Sequence, residues 1–161
     1  MEIVPFDPSD LVHIHPPMLT PAQWRAVAPG YRDAGPAYTL VDGDTVLGCG
    51  GVLIEGRVGT AWAVLSDALR VRPIVLHRKV KRLLDQIVKE YRLGQIFAVV
   101  YEEFSVGRRW LERLGFREEG TLTDYLGTGL TYRRYVLVRR SPRLPKQCGG
   151  QGRLRRVRWV K

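Results

Sequence analysis

Two adjacent carboxylates follow a nearly all-apolar run of the chain, where they could take part in proton transfer. Glu102 and Glu103 come directly after residues 95–101, and Asp67 follows a second apolar run in the same way. A carboxylate held beside a substrate can act as a general base, and the phenol of Tyr101 could act with it. These carboxylates also suit the start of a helix, where negative charge interacts favourably with the helix dipole. We favour that structural role and keep Glu102, Glu103 and Tyr101 as candidate catalytic residues.

Basic side chains cluster where a long helix is expected to begin. They are Arg70, Arg72, His77, Arg78 and Lys79. Cationic side chains of this kind bind the phosphates of cofactors through charge and hydrogen bonds. The alternative is a basic helix end that faces solvent or a partner, and we favour that interpretation.

Neither the histidines nor the cysteines indicate a metal centre. His13 and His15 are separated by one residue, but no cluster of Cys, Asp or Glu accompanies them. Cys49 lies among glycines without a base beside it, which predicts a small buried side chain rather than a nucleophile. Cys49 and Cys148 form no CxxC motif, and this favours a reducing compartment.

Positive charge is concentrated at the C-terminus. The chain carries 26 Lys and Arg against 16 Asp and Glu, and nine of the basic residues but no acidic residue lie in 139–161. We therefore divide the chain into a globular domain, residues 1–140, and a basic tail, residues 141–161. Alternating apolar and basic residues suit a strand added to a protein neighbour in an assembly, or binding along nucleic acid. The residues expected to make these contacts are Arg153, Arg155, Arg156, Arg158, Trp159 and Lys161.

Strands dominate the first part of the chain. Alternating and β-branched runs predict them at residues 2–6, 37–42, 45–54 and 60–66. Prolines between Asp7 and Gly30 are expected to confine helices there to short pieces. The best of these pieces begins at Pro21, with Thr20 as its N-cap. We expect Trp24, Trp62 and Trp110 to pack in or around the core.

A long amphipathic helix is predicted from Pro73. Its apolar face consists of Leu76, Val80, Leu83, Leu84, Ile87 and Tyr91. Gly94 is expected to end this helix. Residues 95–101 then form a strand that is covered on both faces.

A second helix and two strands complete the predicted domain. Ser105 is the expected N-cap of the helix, which carries Trp110, Leu111 and Leu114 inward and ends at Gly115. Strands follow at residues 116–120 and 130–138.

This order of elements, together with the sequence WLERLGFREEG, resembles the GCN5-related N-acetyltransferase (GNAT) family over residues 38–138. In that family a helix ends in a Leu-Gly-Phe step that runs directly into a strand, as Leu114, Gly115 and Phe116 do here. The resemblance implies an α/β (α+β) fold with a mixed, mostly antiparallel central sheet flanked by helices.

Three residues depart from the pattern of the family. GNAT enzymes bind the pyrophosphate of acetyl-CoA at the start of the long central helix, where backbone N–H groups and glycines cradle it. Pro73 replaces the first glycine and has no N–H, and Val75 replaces the second. Leu111 stands where many of these enzymes have a tyrosine that acts as general acid, so Tyr101 or Tyr125 would have to replace it. We therefore expect no cofactor, or acetyl-CoA if the chain is active.

A narrower resemblance covers residues 59–91. It is to tailed-phage proteins described as GNAT-like or internal virion proteins, in which a Trp-x-x-x-Ser strand leads through a proline into a helix with a His-Arg pair, here His77 and Arg78. The leading hypothesis is thus a structural or binding subunit of a virion assembly with a degenerate acetyl-CoA site. Its expected location is the virion or the host cytoplasm.

Two alternative hypotheses remain. One is an acyl-CoA-dependent N-acetyltransferase with an atypical phosphate-binding loop, and the other is a nucleic-acid-binding module that acts through the basic tail. The N-terminus does not resemble a signal peptide, and no apolar run is long enough to span a bilayer. Neither secretion nor a membrane partner is expected.

Overall fold

The computed structural model describes residues 1–14, 21–66, 73–125, 127 and 129–138. These residues form seven strands, three α-helices and one 3₁₀ helix. In chain order they are β1 (Glu2–Pro5), the 3₁₀ helix (Pro8–Val12), α1 (Pro21–Asp33), β2 (Ala37–Asp42), β3 (Thr45–Glu55), β4 (Val58–Leu65), α2 (Pro73–Glu90), β5 (Gln95–Tyr101), α3 (Ser105–Leu114), β6 (Arg117–Thr123) and β7 (Thr131–Val138).

All seven strands belong to one sheet with the order β1-β2-β3-β4-β5-β7-β6. Neighbouring strands are antiparallel except for the central pair, β4 and β5, which run parallel. A parallel pair requires a crossover connection, and α2 supplies it. The prediction of a mixed, mostly antiparallel sheet is confirmed.

Helices cover the two faces of the sheet. On the first face, α2 and α3 bury Leu84, Ile87, Leu111 and Leu114 against strand residues such as Ile96. On the second face, α1 and the 3₁₀ helix bury an apolar cluster that consists of Phe6, Leu11, Ile14, Ala28, Cys49 and Val64. We call these the α2/α3 face and the α1 face. Because side chains alternate along a strand, the central strands β3 and β4 contribute to both faces, with Val52 and Ala61 on the α2/α3 face and Cys49 and Val64 on the α1 face.

The prolines near the N-terminus shorten the helices less than the sequence predicted. Pro8 and Pro21 occupy the first turns of their helices, where a backbone N–H has no helical acceptor. Helix α1 continues through Pro29, and the N–H of Ala34 closes its last turn on the carbonyl of Gly30 at 3.1 Å. The expectation of short pieces alone was therefore wrong. Thr20 and the side chain of Trp24 lie outside the described part of the chain.

Two predicted helix ends are also corrected. Helix α2 ends before Gly94, because Arg92 adopts a left-handed conformation with φ of 53°. The N–H of Leu93 then bonds the carbonyl of Val88 at 3.0 Å, as in a Schellman motif. Helix α3 begins at Ser105 itself, and Phe104 precedes it without a side-chain cap. Its predicted end at Gly115, with φ of 100°, is confirmed.

Candidate functional site

The parallel strands β4 and β5 separate in the middle of the sheet. Ladder pairs join Val58–Ala61 of β4 to the first residues of β5, ending with Ala61 opposite Ala98. Pairing of β4 with β3 continues to Leu65, and pairing of β5 with β7 continues to Tyr101. Among the described residues, no ladder pair joins 62–65 to 99–101. A gap therefore opens between the carboxyl ends of the two strands.

The gap is open on the α2/α3 face. Ala61 packs against the core on this face, and alternation places Ala63 and Leu65 on the same side of β4. Both side chains are nevertheless exposed, Leu65 to 39%. An extended ligand can thus lie along this end of β4 without displacing a packed side chain.

Four buried polar side-chain atoms make no hydrogen bond to any described residue: Trp62 Nε1 lies on the α1 side of β4, and the other three lie near this end of the sheet. These three are Ser66 Oγ, His77 Nδ1 and Trp110 Nε1. Trp110 packs against a cluster that contains Leu47 and Leu76. The N–H of Ser66 bonds the carbonyl of Leu47 at 2.9 Å, and His77 follows Leu76 in α2. A buried polar atom without a partner costs about 1–3 kcal/mol, so each of these atoms is expected to have a partner beyond the described residues.

The candidate phosphate-binding residues are divided between described and undescribed parts of the chain. His77, Arg78 and Lys79 lie near the start of α2, with Arg78 exposed. Arg70, Arg72 and Asp67 lie outside the described residues.

Pro73 is the first residue of α2, as predicted. The next two side chains, Ile74 and Val75, are exposed to 66% and 42%. Their backbone N–H groups lie in the first helical turn and have no helical acceptor.

Glu102 and Glu103 lie in different surroundings. The Tyr101 hydroxyl donates a hydrogen bond to the carboxylate of Glu103, and this bond raises the pKa of Tyr101. The carboxylate of Glu102 accepts from the guanidinium of Arg133, with Nε at 2.9 Å. Helix α3 begins after both residues and has no acidic side chain in its first turn. The favoured interpretation, charges at the start of a helix, was therefore wrong.

Glu102 belongs to a network of charged and polar groups on the α2/α3 face. Arg133 also bonds Glu118 at 2.8 Å, and the Tyr135 hydroxyl donates to the other oxygen of Glu118 at 3.2 Å. Arg108 donates to that hydroxyl at 3.3 Å and to the carbonyl of Glu102 at 3.0 Å. Sequence reasoning missed this network. Alternation along β7 does place Arg133 and Tyr135 on one face, which is the signal that could have found part of it.

The tyrosines considered as substitutes for a catalytic tyrosine are connected on the α1 face. Tyr101 pairs with Tyr132 across β5 and β7, with ring centroids 5.8 Å apart. Tyr125 contacts the same ring at 6.1 Å. Leu111, by contrast, is buried in the core.

Cys49 is not a candidate nucleophile. Its side chain is 2% exposed, its sulfur lies 3.6 Å from the Thr39 hydroxyl, and burial raises the pKa of the thiol to about 12. The prediction of a small buried residue is confirmed.

The remaining predictions concern ions, membranes and the tail. Within the described ranges, no group of three His, Cys, Asp or Glu is arranged to hold a metal ion, and His15 lies outside those ranges. No helix in the described part has the length and apolar character needed to cross a membrane. All six tail residues predicted to bind partners lie outside the described chain.

Comparison with known proteins shows the fold. No family model and no curated protein matches the chain. Solved structures do match, among them the ribosomal-protein-S18-alanine N-acetyltransferase from Escherichia coli (TM-score 0.72, 12% identity, 91% of this chain and 98% of that chain). The ribosomal-protein-S5-alanine acetyltransferase from Vibrio fischeri matches with a TM-score of 0.64 and 18% identity, over 84% of this chain and 91% of that one. An acetyltransferase of the GNAT family from Bacillus anthracis matches with a TM-score of 0.64 and 16% identity, over 84% of this chain and 93% of that one.

The chain has the GNAT fold. The fold predicted from the element order and the Leu-Gly-Phe step is therefore confirmed. None of the three proteins named is a phage or virion protein, and the virion role stays a prediction.

Proposed function

We propose that this GNAT-fold chain is an acyl-CoA-dependent N-acetyltransferase. The observation that carries the proposal is the gap between β4 and β5, with three buried polar atoms beside it that make no hydrogen bond to a described residue. The E. coli neighbour is an N-acetyltransferase by name, which supports an amine as the class of acceptor. The proposal adopts the second hypothesis drawn from the sequence in place of the virion subunit.

The residues at the gap fit acetyl-CoA. The exposed end of β4 at Ala63 and Leu65 offers a path for an extended chain, and His77 Nδ1, near the start of α2, offers a hydrogen-bonding atom. Arg78 and Lys79 offer cationic side chains to the phosphates, beside the N–H groups of the first turn of α2, which have no acceptor within the helix. Because Pro73 and Val75 replace glycines of the family pattern, side chains would contribute more to phosphate binding here than a backbone cradle does.

When bound, acetyl-CoA supplies the acyl thioester, and the chain supplies proton transfer. Glu103 has an exposed carboxylate at the carboxyl end of β5, next to the gap, and is proposed to accept the proton of the acceptor amine. Tyr101 orients this carboxylate through its hydrogen bond. The phenol of Tyr101 is protonated at neutral pH, because its pKa is raised above the ordinary value of 10.0, and it therefore acts as a hydrogen-bond donor to Glu103. Glu102 is unsuited to the same role because Arg133 occupies its carboxylate.

The proposal is tested by calorimetric titration of the protein with acetyl-CoA. We expect a dissociation constant in the micromolar range, equivalent to about −8 kcal/mol. Ala63→Trp places a large ring on the exposed path along β4 and is expected to weaken binding at least about tenfold. Val58→Trp is the matched control, since Val58 is an exposed residue at the paired end of the same strand. It should leave the affinity unchanged.

Two outcomes would contradict the proposal. Absence of binding up to millimolar acetyl-CoA would favour a GNAT-fold scaffold with a degenerate site. Equal weakening by both substitutions would show that binding does not use the gap. Thermal unfolding of both variants separates either result from loss of the fold.

A further inference from the structure

The end of the sheet opposite the gap brings together four segments of the chain. Val58, the first residue of β4, stands opposite Gln95, the first residue of β5, and Val138 ends β7 opposite the same glutamine. Helix α2 leads into the start of β5, and α3 leads into β6, whose first residue, Arg117, pairs with Val136 near the end of β7. Strand β5 spans about 20 Å, so this end is remote from the gap at the carboxyl end of the strand.

Five exposed basic side chains lie at this end. They belong to the turn between β3 and β4, the end of α2 with the residues that follow it, the last turn of α3, and the start of β6. We call them the basic end, which consists of Arg57, Lys89, Arg92, Arg113 and Arg117. The first two segments contact each other, since Arg57 Nε donates to the carbonyl of Arg92 at 3.3 Å and the carbonyl of Arg57 accepts the N–H of Gly94 at 2.9 Å.

Positive charge is in excess at the basic end. The same segments contain three exposed acids, which are Glu55, Glu90 and Glu112. Within the described part of the chain, no ion pair involves Lys89, Arg92, Arg113 or Arg117. Lys89 and Arg113 lie in the last turns of their helices, where a cation complements the helix dipole. Arg92 and Arg117 lie outside the helices, so the dipole does not account for them.

The basic tail is attached at this same end. Val138, the last residue of β7, is 59% exposed, and Arg139 and Arg140 follow it directly. Consecutive Cα atoms are about 3.8 Å apart, so covalent attachment alone adds these two charges to the basic end. Residues 141–161 carry seven further basic residues and no acid. The most basic segment of the chain therefore begins where the described surface is already basic.

The residue types at both places suit phosphates and bases. Four of the five cations of the basic end and seven of the nine in residues 139–161 are arginines, and a planar guanidinium binds phosphate through two parallel hydrogen bonds. Tyr91 lies between Lys89 and Arg92 in the chain and is 40% exposed, and Trp159 follows Arg158 in the tail. Aromatic rings among cations stack on the bases of a single strand, whereas the bases of a duplex already stack on one another.

We propose that the basic end and the tail together bind single-stranded nucleic acid, with arginines on the phosphates and Tyr91 and Trp159 stacked on bases. This binding function goes beyond the proposed acetyl transfer and uses none of the residues assigned to acetyl-CoA, so the two are tested independently. Phosphates and unpaired bases are common to RNA and DNA, and the test contains an arm for each.

The probes are fluorescein-labelled oligouridine RNA and oligothymidine DNA of about 15 nucleotides, a length that covers a typical site. Fluorescence anisotropy with the full chain measures binding. We expect a dissociation constant of about 1 μM or below at low salt, with an affinity that falls as salt rises, by a logarithmic slope of about −0.7 for each phosphate neutralised. Binding of either strand supports the inference, and the tighter one identifies the class of nucleic acid.

The role of the basic end is tested by Arg113→Gln combined with Arg117→Gln. Loss of two phosphate contacts should weaken binding about fivefold to twentyfold and reduce the magnitude of the salt slope by about 1.4. Lys81→Gln combined with Arg109→Gln is the matched control, since it removes the same charge from exposed positions in the first halves of α2 and α3. It should change the affinity less than about twofold. Thermal unfolding checks that both variants keep the fold.

Stacking is tested at Tyr91. Tyr91→Leu should weaken binding at least about fivefold without changing the salt slope. Tyr91→Phe should keep the affinity, since stacking requires the ring and not the hydroxyl. A surface that attracts the strand through charge only would respond to neither substitution.

Several results would overturn the inference. Equal losses in the two double variants would show that binding follows net charge and not the basic end. Losses confined to Arg155→Gln combined with Arg156→Gln and Arg158→Gln would leave the tail as the only binding element. Equal affinity for a duplex of the same length would remove the stacking on bases, and equal affinity for labelled poly-glutamate would assign the surface to acidic proteins.

Discussion

Two consecutive glutamates at the end of β5 lie in opposite surroundings on the two faces of the sheet. Glu102 is enclosed by Arg133, Glu118, Tyr135 and Arg108 in a network that connects β5, β6, β7 and α3. On the other side, Glu103 is exposed and accepts a hydrogen bond from Tyr101. The first carboxylate has a cationic partner in Arg133, and the second is the proposed proton acceptor.

The largest expected effect is a loss of kcat that distinguishes Glu103 from Glu102. Glu103→Gln removes the proposed proton acceptor, so we expect kcat to fall about 10²- to 10⁴-fold at neutral pH, with unfolding free energy changed by less than about 0.5 kcal/mol. Glu102→Gln should keep most of the activity. Release of coenzyme A thiol, followed with an alkylamine acceptor, measures both variants. A larger loss of kcat in Glu102→Gln would reverse the assignment.

The second effect concerns the stability of the network. Arg133→Met leaves the carboxylates of Glu102 and Glu118 without their guanidinium. Both are about one-third exposed, so water reduces the cost, and we expect a loss of about 1–3 kcal/mol. Urea unfolding measures it as a lower midpoint with an unchanged slope.

Arg134→Met is the matched control for this substitution. Arg134 is the next residue in β7, and its pair with Glu119 is more exposed, at 45% and 39%. Exposed ion pairs contribute about 0–1 kcal/mol. Equal losses in the two variants would mean that the network adds nothing beyond an ordinary surface pair.

A smaller loss is expected from the hydroxyl of Tyr135. The side chain is fully buried, and its oxygen lies between Arg108 and Glu118. Tyr135→Phe removes both hydrogen bonds and should cost about 1 kcal/mol. Tyr132→Phe is the control from the opposite face, where the side chain is only 4% exposed and its hydroxyl makes no hydrogen bond to a described residue. Its change should stay within about 0.5 kcal/mol.

Much of the fold could be predicted from local patterns. Alternation and β-branched residues located every strand to within a few residues, because a strand shows its buried face directly in its sequence. The end of α2 was misplaced because Arg92 takes a left-handed conformation that glycine usually supplies. Ending the helix at Arg92 places Leu93 in the core, a long-range contact that local patterns do not reveal.

The site was less predictable because it depends on register. Tyr101, Glu102 and Glu103 were candidates from the sequence alone. Side chains alternate between faces only within a strand, however, and both glutamates follow the end of β5, so the pattern could not assign their carboxylates to different faces. Contact between Tyr101 and Tyr132 follows only from the pairing of β5 with β7. Ser66 and Trp110 have no sequence signal as site residues, since a buried polar atom without a partner exists only in three dimensions.

The smallest expected effect is a change in the titration of Tyr101. The hydrogen bond to Glu103 is the largest cause of its raised pKa, whereas Glu102 is the last and smallest of the causes. Glu103→Gln should therefore lower the pKa of Tyr101 toward 10.0 more than Glu102→Gln does, as measured by NMR of ring-labelled tyrosine with Tyr101→Phe for assignment.

Because the folded pKa of Tyr101 lies above the unfolded value, this tyrosine contributes stability below about pH 10, and that contribution is lost as the pH rises through the folded pKa. The loss should be smaller in Glu103→Gln than in Glu102→Gln. Equal shifts in the two variants would mean that both carboxylates act on the phenol from similar distances, and the separation of the two faces would fail.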